Sequence, residues 1–170
     1  MEYINKLEQW NQVSKFPNYM ISSCGRVMNI RTFRVLKPGI NSRGYLGVVL
    51  SSNVEVSSKQ IHRLVAQAFI LNLTNLPCVD HKDRNDQNNH LSNLRWCTRK
   101  ENCQNRSKPK NGTSVYKGVS LVKTTNKWKA CIKNNGQSIH LGYYTDESDA
   151  GRAYDRKASE LFREFAVLNF

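Results

Sequence analysis

Short runs of alternating apolar and polar residues, separated by glycine, occupy the first third of the chain. Residues 19–22, 25–28 and 44–50 are of this kind, and a period of two is typical of small antiparallel strands. Apolar residues then recur every three or four positions, which predicts one face of a helix; they are Ile61, Leu64, Val65, Ala68 and Phe69. The pattern predicts a β-rich module over residues 1–58 and an amphipathic helix over residues 58–70.

A strand, a polar loop, a second strand and a helix are predicted next. A short apolar run ends at Asp80 and His81, polar turn formers follow, and residues 91–98 predict the second strand. Residues 98–101 read Thr-Arg-Lys-Glu, a capping box in which the threonine and the glutamate satisfy the first amides of a helix. Asn102 should therefore lie in the first turns of that helix.

The last part of the chain predicts three strands and one helix. The strands are residues 115–122, 127–133 and 138–143, and an Asn-Gly pair between the last two is a strong signal for a tight hairpin. A helix capped near Thr145 follows. Its apolar stripe is Ala150, Ala153, Tyr154, Ala158, Leu161 and Phe162.

The charge of the chain indicates a polyanionic partner. The formal net charge is +13 and the pI is about 9.8, which points to nucleic acid first and an anionic membrane surface second. Residues 9–54 and 102–145 contain no acidic residue at all. Two long acid-free stretches favour a surface that faces phosphates over a surface charged only for solubility.

The cysteines and the apolar runs bear on the compartment. Five cysteines without a C-x-x-C pair argue against a disulfide framework or a zinc ribbon. No apolar run approaches the length of a membrane span, and residues 1–6 contain no apolar signal core. We expect a soluble, intracellular protein without a membrane partner.

An acid, a histidine and two asparagines stand at spacings that could surround one metal ion and one phosphodiester; they are Asp80, His81, Asn93 and Asn102. A histidine with an ordinary pKa of about 6.5 can take a proton from water at neutral pH. Carboxylate and amide oxygens are ligands for hard cations. The order Asp-His, Asn-Leu-Arg-Trp, Asn resembles the HNH motif, the ββα-metal finger of many phage homing endonucleases.

This resemblance implies a metal-dependent endonuclease that hydrolyses DNA. Asp80 and Asn102 would be the ligands of one Mg²⁺ or Mn²⁺ ion, His81 the general base, and Asn93 the residue that orients the His81 ring. The cut would leave a 5′-phosphate and a 3′-hydroxyl. One metal site on a monomer predicts that one strand of double-stranded DNA is nicked.

The parts on either side of this motif resemble two other families. The first is similar to the nuclease-associated modular domain of phage HNH proteins, through Trp10, Phe16-Pro17, Tyr19, Ile21-Ser22 and Gly25-Arg26-Val27. Residues 114–170 resemble the plant APETALA-type (ethylene-response-factor) DNA-binding domain, through Tyr116-Lys117-Gly118-Val119, Trp128-Lys129-Ala130, Leu141-Gly142-Tyr143-Tyr144, Ala153-Tyr154-Asp155 and Val167-Leu168-Asn169-Phe170.

The second resemblance implies that an exposed sheet face lies on DNA. The candidate DNA contacts are Lys117, Lys123, Lys127, Lys129, Lys133, His140 and Tyr154. Ser120, Cys131 and His140 replace an arginine, a glutamate and a tryptophan of the plant domain. Since lysine and serine cannot form the two-pronged contact of arginine with guanine, we expect a grip on the backbone with little base readout.

The chain is therefore predicted to be an α+β protein of four parts. These are the β-rich module (1–58), the ββα-metal HNH domain (59–107), a linker (108–113) and a three-stranded antiparallel sheet packed on one helix (114–170). The alternative function is a non-catalytic, sequence-specific DNA-binding transcription regulator with a decayed finger, and RNA binding ranks third. The intact motif favours the nuclease. For His62, a structural or capping role is favoured over a DNA contact.

Overall fold

The computed structural model describes residues 8–105 and 112–170, which divide into two units, one ending at Thr98 and the other beginning at Arg99. Residues 106–111, which include most of the predicted linker, lie outside the described residues, as do residues 1–7. Both units combine helix with small antiparallel sheets, so the mixed helix-and-strand fold is confirmed. No helix in the described ranges is long and apolar enough to cross a membrane.

Three antiparallel sheets and one helix build the first unit. The four-stranded sheet consists, in chain order, of β1 (Trp10–Gln12), β2 (Tyr19–Ser22), β3 (Val27–Asn29) and β4 (Arg34–Val35). The three-stranded sheet consists of β5 (Gly39–Ile40), β6 (Leu46–Ser51) and β7 (Val56–Gln60). Helix α1 (Ile61–Phe69) follows, and β8 (Cys78–His81) pairs with β9 (Leu94–Cys97).

One apolar core joins these elements. Ile21 of β2, Leu50 of β6 and Val65 of α1 are fully buried in the same cluster, which also includes Leu94 of β9. The predicted end of the module, residue 58, lies inside β7, and the helix begins three residues later than expected because residues 56–60 pair with β6. The module and the finger thus share a core, and their separation as functional parts stays a prediction.

The second unit is a three-stranded sheet covered by a helix. Its elements are α2 (Arg99–Gln104), β10 (Val119–Val122), β11 (Lys127–Asn134), β12 (Gln137–Tyr144) and α3 (Glu147–Phe162). Asp146 caps α3, and its carboxylate accepts hydrogen bonds from the amides of Ser148 and Asp149 at 2.7 and 3.4 Å. Ala150 and Ala158 are fully buried, and such small side chains allow α3 to lie close to the sheet.

Tyr154 belongs to this core and not to an exposed surface. Its side chain is 4% exposed and packs with Ile132, Ala158 and Phe162. Burial, and then the charge of Asp155, raise the pKa of Tyr154 to about 12. The expected contact of Tyr154 with a DNA phosphate is therefore corrected: the ring is a packing residue.

Candidate functional site

The end of β8 brings Asp80 and His81 into the interior of the first unit. The two residues are 5% and 4% exposed. A loop over residues 82–90 and a 3₁₀ turn, Leu91–Asn93, connect β8 to β9. Buried ionisable groups are costly unless they are hydrogen bonded or paired, so the partners of these two side chains define the site.

The loop that follows β8 holds the His81 ring. Nε2 of His81 lies 3.2 Å from Oδ1 of Asn89, and Nδ1 lies 3.8 Å from a carboxylate oxygen of Asp86. Asn89 is itself buried, and its Nδ2 donates to the carbonyl of Gln87 at 3.2 Å. In the sequence, Asn89 is only one of several polar turn formers after His81. Its contact with the His81 ring depends on the path of the folded loop, so the sequence does not predict it.

Asn93 fixes the loop and does not bond the ring as expected. Its Oδ1 accepts from the amide of Asp83 at 3.0 Å, and its Nδ2 donates to Oδ1 of Asp83 at 2.9 Å and to the carbonyl of Asn88 at 2.8 Å. Burial opposes ionisation of Asp83, but hydrogen bonds from Asn85, Asn88 and Asn93 outweigh it and lower the pKa of that carboxyl. Asn93 therefore supports the site by closing the loop.

Asp80 is paired with Arg95 across the two-stranded sheet. Nε and Nη2 of Arg95 lie 2.9 and 2.8 Å from the same oxygen, Oδ2 of Asp80. Both donors meet the same carboxylate oxygen, and this pairing orients Asp80. A carboxylate oriented in this way is an oxygen donor of the kind that hard cations accept.

The expected second ligand, Asn102, lies in α2, which belongs to the second unit. Glu101 is in the first turn of that helix, as the capping box predicted. Across residues 8–105 and 112–170, no three His, Cys, Asp or Glu side chains are grouped to hold a metal ion. The expected ligand set, one carboxylate and one amide, does not require such a group.

His62 and Tyr45 pack against the His81 ring. The ring of His62 meets that of His81 edge-on at 5.1 Å, and Tyr45 lies 4.9 Å from His62 and 6.1 Å from His81. Burial, followed by the charges of His81 and Arg63, lowers the pKa of His62 to about 4. Nδ1 of His62 is buried and has no hydrogen-bond partner in the described chain. The sequence signal for the burial of His62 was its position beside Ile61, on the side of α1 that faces the core.

The outer face of the second unit's sheet carries several of the candidate DNA contacts. Lys129 of β11 lies between Ser120 of β10 and Tyr143 of β12. Lys127, Lys133 and His140 are exposed, and they alternate with residues that face α3.

Two further lysines differ in their surroundings. Lys123 is exposed in the turn after β10. Lys117 is half-buried, and its Nζ donates to the carbonyl of Gln104 at 3.0 Å. The ammonium of Lys117 is thus engaged within the unit.

Comparison with known proteins identifies the class of protein to which the chain belongs. A family model described as the NUMOD4 motif matches residues 8–51. The uncharacterized HNH endonuclease L245 of Acanthamoeba polyphaga mimivirus is 44% identical over 99 residues, which are 58% of this chain and 29% of that protein. The DNA endonuclease I-HmuI of Bacillus phage SP01 is 34% identical over 120 residues, 69% of this chain and 68% of that protein.

A solved structure of I-HmuI, described as DNA binding and cleavage by an HNH homing endonuclease, supports the same assignment. It has a TM-score of 0.53 and 36% sequence identity, and the match covers 57% of this chain and 56% of that chain. The chain belongs to the HNH homing endonuclease family. The resemblance to plant APETALA-type proteins is also confirmed: the AP2-like ethylene-responsive transcription factor TOE2 of Arabidopsis thaliana is 33% identical over 67 residues, 39% of this chain and 14% of that protein.

Proposed function

We propose that the chain is a metal-dependent DNA endonuclease that hydrolyses one phosphodiester and nicks one strand of double-stranded DNA as a monomer. The main support is the buried Asp80-His81 pair at the end of β8, in which each side chain has polar partners. A carboxylate and an imidazole that are both buried, at consecutive positions of one strand end, are costly to stability and are typical of functional sites. Membership of the HNH family agrees with this proposal.

The strands β8 and β9 together with α2 would form the ββα-metal finger. In that arrangement, the carboxylate of Asp80 and the side-chain oxygen of Asn102 would hold one Mg²⁺ or Mn²⁺ ion, since both donors are hard oxygens. Such a cation neutralises phosphate charge and stabilises a leaving oxygen. Arg95 keeps the Asp80 carboxylate in one orientation through two hydrogen bonds.

His81 acts as the general base that takes a proton from the attacking water. Its ring is fixed by Asn89, and Asn93 holds the loop that carries Asn89. The products would be a 5′-phosphate and a 3′-hydroxyl. The parts proposed for this function are the module, the HNH domain, the linker and the C-terminal domain, with boundaries at 58, 107 and 113.

The sheet of the second unit would grip the DNA backbone through Lys123, Lys127, Lys129, Lys133 and His140. The similarity to a plant transcription factor favours a second candidate function, a non-catalytic DNA-binding regulator. The buried pair at the end of β8 is unexplained by that alternative, because a DNA-binding role alone does not require it.

Incubation of the purified chain with supercoiled plasmid separates the two candidates. We expect conversion of supercoiled to open-circular DNA with Mg²⁺ or Mn²⁺, and loss of that conversion with a chelator. Retarded migration of the plasmid without any open-circular product, at all metal concentrations, would contradict the nuclease and leave the regulator.

A further inference from the structure

The outer face of the second unit's sheet carries a thiol beside an imidazole. Sγ of Cys131 on β11 lies 3.8 Å from Nδ1 of His140, the residue opposite it on β12. The residues on either side of Cys131, Ala130 and Ile132, are buried in the clusters that include α3, so Cys131 lies on the opposite face. Cys131 is half-buried and His140 is exposed. The pair is therefore open to solvent.

An irregularity in the strand pairing brings His140 to this face. Ala130 pairs with Gly142 and Cys131 with His140, so the register passes over Leu141, which packs in the core. His140 and Tyr143 then meet with their ring centroids 4.7 Å apart. The imidazole is thus held between the thiol and the Tyr143 ring. The plant domain has a glutamate and a tryptophan at these two positions, so the thiol and the imidazole are features of this chain.

The surroundings of the pair are cationic. Lys129 and Lys133 lie two residues before and two residues after Cys131 on the same strand. None of the strands β10, β11 and β12 contains an acidic residue. A cationic surface raises the rate at which anionic molecules arrive. Cysteines that act as nucleophiles lie in partly exposed, electropositive surroundings next to a group that can take the thiol proton.

We propose that Cys131 is a site of reversible modification by small anionic disulfides of the glutathione type, and that the mixed disulfide prevents this sheet face from binding DNA. Nδ1 of His140 takes the proton of the thiol, and Sγ attacks one sulfur of the disulfide. The S–S bond of the reagent breaks, and its other half leaves and takes up a proton to become a thiol. Cys131 is oxidised and half of the reagent is reduced, so no further oxidant is needed. A reducing thiol reverses the reaction.

The mixed disulfide would stand between Lys129 and Lys133, in the face proposed to grip the DNA backbone. Glutathione carries a net negative charge, and like charges brought together at an interface oppose binding. The adduct also occupies space that the DNA backbone would fill. This blocking step rests on the proposed function, whereas the modification of Cys131 does not.

The rate of modification is measured first, without DNA. The reduced chain is incubated with oxidised glutathione at low salt, unreacted thiols are blocked, and mass spectrometry of peptides quantifies the adduct on each cysteine. The reference thiol is Cys103, which is exposed on α2. We expect Cys131 to react about tenfold faster than Cys103, although Cys131 is less exposed, because of the cationic face and the neighbouring imidazole. His140→Gln should remove most of this difference.

A neutral disulfide separates the effect of charge from that of the imidazole. Lys133→Gln should slow the reaction of Cys131 with oxidised glutathione and leave its rate with hydroxyethyl disulfide unchanged. The matched control is Lys157→Gln on α3, where the ammonium pairs with Glu160 at 2.7 Å; it should alter neither rate. Equal rates at Cys131 and Cys103 in the parent, or an unchanged rate at Cys131 in His140→Gln, would overturn the inference.

DNA binding by the parent and by Cys131→Ser is then measured before and after treatment with oxidised glutathione. Treatment should weaken binding by the parent at least about tenfold, with recovery after dithiothreitol, and Cys131→Ser should not respond. Rapid modification of Cys131 that leaves the DNA affinity unchanged would overturn the blocking step and the proposed grip by this face. Slow modification in a chain that binds and nicks DNA would overturn this inference alone. A reduced parent that binds no DNA would remove the proposed function, and the rate at Cys131 would still decide whether the thiol is a modification site.

Discussion

Replacement of Gly25 by alanine tests whether the module braces the catalytic loop. Gly25 has a φ of +84°, and the new Cβ would meet Asn89 at 2.9 Å. A left-handed conformation costs a residue with a Cβ about 1–2 kcal/mol, and overpacking adds about 1–3 kcal/mol. We expect Gly25→Ala to lower the free energy of unfolding of the first unit by about 2–5 kcal/mol.

Gly44 provides the matched control. Its φ is +89°, and nothing lies within 4 Å of the Cβ position, so Gly44→Ala should cost only the conformational part, about 1–2 kcal/mol. Urea unfolding followed by tryptophan fluorescence measures both. In a Trp128→Phe background the remaining signal comes from Trp10 and Trp96, which lie in the first unit.

The rate of nicking measures the consequence for the site. Displacement of Asn89 should misplace the His81 ring, and such shifts reduce rates by about 10–100-fold. Gly25→Ala should therefore nick more slowly at saturating DNA, while Gly44→Ala should retain the parent rate. Equal losses of stability and equal rates in the two variants would refute the idea that the turn supports the loop.

Two buried rings and the basic sheet face give the remaining predictions. Because burial lowers the pKa of His62 from 6.5 to about 4, the unfolded chain binds more protons between these values. The free energy of unfolding of the first unit should therefore fall by up to about 3 kcal/mol as the pH falls from 6.5 towards 4. Urea unfolding of His62→Gln should lack this pH dependence. If the pH dependence of the variant equals that of the parent, His62 is not its source. The pKa of Tyr154 is raised from 10.0 to about 12, so the second unit should lose stability as the pH rises through this range. Tyr154→Phe should remove the loss and keep the DNA affinity, and weaker binding would return Tyr154 to the interface. Lys129→Gln and Lys133→Gln should each reduce the slope of log DNA affinity against log salt by about 0.9. The control is Lys157→Gln, which should leave the slope unchanged, since Lys157 lies on α3 and pairs with Glu160 at 2.7 Å. Equal slopes in all three variants would contradict the assignment of the sheet face to DNA.

The local sequence pattern was sufficient to predict those elements whose structure is decided by neighbouring residues. The alternation in β2, the Asn135-Gly136 turn and the stripe of α3 were predicted because period and turn chemistry are properties of short segments. The start of α1 was predicted too early because residues 58–60 were assigned to the helix and instead pair with β6. The strand partner of a residue is not encoded in its own segment.

The arrangement of the site was harder to predict than the strands and helices, because it depends on contacts between residues that are distant in the sequence. The positions of Asp80 and His81 at a strand end followed from the apolar run before them, but the partner of the His81 ring did not. Asn89 and Asn93 are both asparagines in polar surroundings, so the sequence does not distinguish them. Only the folded loop shows that Asn89 contacts the His81 ring and that Asn93 closes the loop. The burial of Tyr154 similarly follows from tertiary packing of α3 on the sheet.

His81 is proposed to perform the chemistry of a nuclease. The most direct test compares nicking of supercoiled DNA with Mg²⁺ by the parent, His81→Ala and the control His90→Ala. His90 is an exposed histidine near the same loop, and its Nδ1 lies 2.8 Å from Oγ of Ser92. We expect His81→Ala to bind DNA like the parent and to nick it at least about 100-fold more slowly, as the loss of a general base does, with His90→Ala near the parent rate. Nicking by His81→Ala at the parent rate, with a chelator-sensitive parent, would contradict the role of His81 as general base.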